Sequence, residues 1–139
     1  DSLLFWPIGQ TFLLAPIARR LLSDKNINLP TSADEVVEAL KPLKSVPWDL
    51  KHDLWRDFLI VFDPEAQQWK MRDQDRANCL KIGYTILLWI TGCENLDQDG
   101  IDELCAKWSA NLIPMGDNNR EQVTFEELVE IREEILSNS

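Results

Sequence analysis

The sequence predicts a mainly α fold, a compact domain of about five helices carrying one short β-hairpin at about residues 58–72. Three observations predict it. Apolar residues recur at helical spacing behind two capping boxes, Ser32 with Glu35 and Thr124 with Glu127. A run of β-formers, DFLIVF, is separated by the turn residues DPEAQ from the alternating QWKMR. After that hairpin comes a stretch, from Asp73, that is apolar on most faces and stops at Gly92.

Taken in order, Pro7 suits a first helical turn, and Leu13, Leu14, Ile17, Leu21 and Leu22 share one face of a helix over 7–23. Pro16 should kink that helix, because its ring meets the carbonyl four residues back. DKNINLP reads as a loop. The Ser32 box then opens a helix running to about Leu43, closed by Pro42 and Pro47. Trp48 to Arg56 reads as a short helical turn opened by Asp49, and the hairpin strands fall at 58–62 and 68–72. In the central helix Ala77, Leu80, Ile82, Tyr84, Ile86, Leu87, Leu88 and Ile90 are apolar, with Gly92 as a left-handed cap. A helix from about Asp99 to Leu112 turns Ile101, Leu104, Cys105 and Trp108 inward. The last helix runs to about Leu136 on the stripe Phe125, Leu128, Ile131 and Ile135.

There is no internal repeat, low-complexity segment or dividing linker, so residues 1–139 read as a single mostly helical domain. The hydrophobic (45%) and charged (27%) contents are those of a globular protein. No apolar run reaches the roughly 20 residues of a membrane-spanning helix, which points away from a membrane. The opening DSLLFWPIGQTFLL lacks an initiator Met, a basic start and a small-residue cleavage site. The expectation is a piece of a longer protein, with any active site left in the rest of it. Cys79, Cys93 and Cys105 follow no metal-ligand spacing and fit buried thiols in a reducing cytoplasm.

Charge is unevenly placed. Of the net −10, the stretch from Cys93 onward carries 12 acidic residues against Lys107, Arg120 and Arg132, which leaves the first 92 residues nearly neutral. Such a tail repels phosphate and suits a basic protein partner, or serves only as a solvated face.

Chemistry is mostly denied. NLDQDG resembles the entrance of a calcium loop, with Asn95, Asp97 and Asp99 at alternating places and Gly100 at the turn. The twelfth place, which should supply a bidentate carboxylate, is Ala106. A second half-match, Gly116 to Glu127, has the exit without the entrance. The alternative role for Asp97 or Asp99 is to cap the next helix. His52 is the sole histidine, no nucleophile context is recognisable, and neither GxGxxG nor GxxxxGK[ST] occurs. No catalytic residue, metal or cofactor is therefore expected.

Six tryptophans remain: Trp6, Trp48, Trp55, Trp69, Trp89 and Trp108. Core packing accounts for Trp48, Trp55, Trp89 and Trp108, the first two bracketing a turn that fastens the hairpin to the helices. Trp69, with Lys70, Arg72, Arg76 and Lys81 nearby, is the one cluster suited to stacking on nucleic acid.

The order of these segments resembles the late region of DGQHR-domain proteins, the group that includes the DndB-type proteins of DNA sulfur modification. PIGQTFLLAPIARRLL precedes LKSVPWDLKHDLW, then DFLIVF and a helix ending at a glycine; the matching residues are Trp48, Trp55, Asn78 and Gly92. The likeness spans roughly residues 5 to 110. The DGQHR signature itself is absent, and DQDG at 97–100 shares only its letters. The resemblance implies a bacterial, cytoplasmic parent concerned with phosphorothioate DNA or phage defence. This portion would complete that parent's core and contact subunits, and DNA would be met only through the parent. The alternative is a free-standing acidic helical interaction module.

Overall fold

The computed structural model describes residues 2, 6–26, 32–49, 52, 54–113 and 125–137. The Gly116 half-match up to Thr124, the cap half of the second capping box, the Phe125 side chain and most of DKNINLP lie outside the described residues.

The elements are α1 (Pro7–Gly9), a π-helical segment (Gln10–Leu14), α2 (Ala15–Asp24), α3 (Ala33–Ala39) and a 3₁₀ segment (Lys41–Ser45). Then come β1 (Ile60–Asp63), β2 (Gln68–Met71), α4 (Arg76–Ile90), α5 (Gln98–Ala110) and α6 (Phe125–Ser137). Since α1, the π segment and α2 run on without a break, there are five helical rods and one antiparallel hairpin, the architecture expected from the sequence.

The kink expected at Pro16 takes the form of the π segment. Pro16 cannot donate to the Phe12 carbonyl, and its ring would strike that carbonyl in a regular α-helix; the wider turn falls just before it, with the Ala15 N–H bonding Gln10 O. α3 stops at Ala39, short of the expected Leu43, because Pro42 has no N–H to donate to the Glu38 carbonyl and its ring crowds it; the chain continues as 3₁₀. The Ser32 cap forms as expected, its Oγ accepting the Glu35 N–H at 3.3 Å.

β1 begins at Ile60, two residues later than expected; in the short turn expected from Asp49 the His52 N–H bonds Asp49 O at 3.0 Å and the Arg56 N–H bonds His52 O at 3.0 Å, though none of the described residues there belongs to a helix. One carbonyl, Trp55 O, collects the N–H groups of Phe58, Leu59 and Ile60, and Asp57 sits in the left-handed region (φ 65°), so this stretch is a knot of tight turns. The strands pair Ile60 with Met71 through Asp63 with Gln68. Asp63 Oδ1 accepts from the Glu65 and Ala66 N–H groups, and Gln67, also left-handed (φ 54°), closes the loop. α4 opens at Arg76 instead of Asp73 because Asp75 is left-handed (φ 54°).

α4 is the centre of the molecule, packed on the π segment, α5 and α6. The core gathers Leu13 and Ile17, Trp55, Phe58 and Leu59, Ile86, Leu87 and Ile90, Leu104 and Trp108, and Leu128 and Ile135. Gly92 caps α4 at φ +82°, and α6 approaches so closely that a Cβ there would lie 3.0 Å from Leu136. No helix among the described residues is long and apolar enough to cross a membrane.

Candidate functional site

The tryptophans do more than fill space. The Trp48 indole donates to Leu43 O at 2.9 Å, the Trp55 indole to Pro47 O, and the Trp108 indole to Leu54 O at 3.0 Å. From Val46 to Leu54 no described residue lies in a helix or strand, and Leu43 lies near the end of a short 3₁₀ segment, so carbonyls here need partners from outside the local backbone, and three indoles supply them. Trp48, Trp55, Trp89 and Trp108 are all buried. Trp55 also lies against Gly83, where a Cβ would stand 3.6 Å from its ring.

Of the five residues read from sequence as a stacking cluster, Lys81 is exposed on α4 and Arg72 is turned inward. It is 4% exposed, and its guanidinium donates to Phe58 O (2.8 Å), Asn111 O (2.7 Å) and Gln74 O (2.7 Å). It ties the turn before the hairpin to the end of α5, beside a second tie in which the Ile113 N–H bonds Asp57 O at 2.7 Å. Arg76 bonds Arg72 O and Asp73, and Lys70 sits 3.2 Å from Asp73 and 3.9 Å from Asp63. Trp69 is half-buried against Phe62, ring centroids 5.5 Å apart. Arg72 is therefore a structural tie and not a contact residue, and the cations beside Trp69 face carboxylates, an arrangement unlike a phosphate track.

At the half calcium loop, Asp97 is the N-cap of α5, its Oδ1 accepting the Gly100 N–H at 2.8 Å. Asn95 Oδ1 accepts from Arg132 at 3.2 Å, while Asp99 is exposed in the first turn of α5, where the helix dipole favours it. Arg132 reaches across from α6, lies 5.3 Å from the Trp89 ring centre and donates to Trp89 O at 3.0 Å. Among the described residues no three His, Cys, Asp or Glu side chains converge on a metal-sized site.

His52 acts locally, its Nδ1 accepting the Leu54 N–H at 3.2 Å. Burial pushes the Cys79, Cys93 and Cys105 thiols above the ordinary range, so at neutral pH they are protonated and weakly nucleophilic.

A cleft of about 1100 Å³ lies between the end of α2, α3, the α4–α5 turn and the end of α6. Its rim carries Asp24, Asp34, Glu35 and Glu38 against one cation, Lys25. Leu21, Ala39 and Leu136 supply apolar surface, and Cys93 stands in the wall. Arg20 closes one side: it pairs with Glu94 (3.0 Å) and Asp24 (3.1 Å), and these carboxylates, Glu94 first, raise its pKa further.

Sequence reasoning missed this cleft and the Arg132–Trp89 contact, since both join segments far apart in the chain. One signal was present: Asp34 and Glu38, four apart, fall on one helical face. No family model matches the chain, and neither curated proteins nor solved structures give a match.

Proposed function

We propose that this chain is a non-catalytic helical domain whose work is protein contact, and that it docks a basic partner through its acidic faces. One observation carries the reading: several cations are tied to the chain's own groups, while four carboxylates of α6 have no ion-pair partner among the described residues. Arg20, Lys70, Arg72, Arg76, Lys107 and Arg132 all engage the chain's own carboxylates or carbonyls. On α6, Glu126, Glu130, Glu133 and Glu134 are exposed and have no ion-pair partner among the described residues, behind a buried face of Leu128 and Ile135. A field of one sign left unbalanced steers a partner of the other sign.

Carboxyl footprinting of the protein in its native assembly tests this. Carbodiimide labelling of Glu126, Glu130, Glu133 and Glu134 should fall severalfold relative to the isolated chain. Unchanged labelling in the assembly overturns the reading.

A second reading places the domain in a cytoplasmic DGQHR-type parent concerned with phosphorothioate DNA, where it would complete the core and the basic partner would be a subunit. The placement of the four resembling residues supports it: Trp48 and Trp55 flank the turn before the hairpin, and Asn78 lies on the helix that Gly92 ends. Gel shift with the full-length parent decides. DNA retention that requires the portion preceding this chain supports this reading, and no retention in either form removes it.

A further inference from the structure

We infer that the cleft between α2, α3 and the ends of α4 and α6 is a peptide-docking groove for a basic amphipathic segment of a partner protein; the inference rests on the basic-partner reading above and assigns it a place. Asp34 and Glu38 have no ion-pair partner among the described residues, and Lys25 is the one cation on a rim with four carboxylates. Charge of that sign selects lysine or arginine.

Charge alone would accept any cation. The floor adds a second requirement, since Leu21 and Ala39 are buried at its base while Leu136, 38% exposed, offers an apolar edge. An aliphatic side chain seated there would remove further apolar surface from water, on the order of 25 cal/mol for each Å². The volume, about 1100 Å³, leaves room for a length of polypeptide. A second copy of this chain, at net −10, is repelled, and so is nucleic acid. What remains is a segment that alternates cations with aliphatic residues.

Cys93 in the cleft wall provides a local reporter. The test titrates the protein with a 14-residue peptide of lysines and leucines, the leucines at helical spacing. Two controls replace the leucines by serine or the lysines by glutamate. Alkylation of Cys93 by iodoacetamide, followed by mass spectrometry with Cys105 as the internal reference, should slow severalfold with the lysine–leucine peptide only. Asp34→Asn with Glu38→Gln should weaken that peptide about fivefold at low salt, the effect of losing two exposed charge pairs. Leu136→Ser should erase the preference for leucine over serine.

Binding without Cys93 protection, or unaffected by the Asp34 and Glu38 changes, overturns the groove. If that binding is instead lost when Glu126, Glu130 and Glu133 become glutamine, the groove fails while the basic-partner reading stands on α6. If no basic peptide binds any form, both fail.

Discussion

The stretch from Leu43 to Leu59 and the helix α6 solve the same problem by different means. Among its described residues the first has no regular structure beyond the end of the 3₁₀ segment, and side chains supply hydrogen bonds to it: three indoles and one guanidinium reach its carbonyls. α6 satisfies its own backbone and holds on by an apolar stripe, Leu128 and Ile135, and by Arg132 laid over Trp89. An irregular segment concentrates its stability in a few donors, whereas a helix spreads it along a face. The first is brittle to single substitutions; the second can take many on its outer side.

The largest expected effect is therefore Trp55→Ala, which removes a fully buried ring and orphans Pro47 O; urea denaturation should show a loss of about 3–5 kcal/mol. Arg72→Met keeps the side-chain length but strands the carbonyls of Phe58 and Asn111, for a loss of roughly 2–4 kcal/mol by the same measurement. A loss under 0.5 kcal/mol from either change would remove the contrast between the two regions. Gly92→Ala places a Cβ at positive φ against Leu136 and should cost about 1–2 kcal/mol, seen as a lowered Tm. Converting Glu126, Glu130 and Glu133 to glutamine should leave stability within about ±0.5 kcal/mol, because these side chains face water.

The smallest effect is set by pH. Burial raises the three thiols, so the folded chain keeps protons that the unfolded chain gives up near the ordinary thiol pKa of about 8.5. Stability is then full below that pH and declines as pH rises through the folded values. Urea midpoints at neutral and alkaline pH should show the decline, and Cys93→Ala should reduce it.

The helices were legible in the sequence because each carries its own local signals. Ser32 caps where a capping serine should, Gly92 is left-handed where α4 ends, and the stripe Ile101, Leu104 and Trp108 is buried. What was not legible depended on contacts between distant segments. Nothing near Arg72 announces that its partners are Phe58 and Asn111, so its charge suggested a surface role; the knot after Trp55 hid in a run of β-formers for the same reason. The cleft is harder still, because its walls come from α2, α3, the α4–α5 turn and α6, and no window of sequence contains it.

The indole donors have an optical consequence. Because Trp48, Trp55 and Trp108 are buried with their N–H groups fixed on residues 43 to 54, half of the six tryptophans report on that one stretch. Its red shift on denaturation would time the release of the irregular segment, while far-ultraviolet dichroism follows the helices. Any gap between the two curves would reveal whether they let go together.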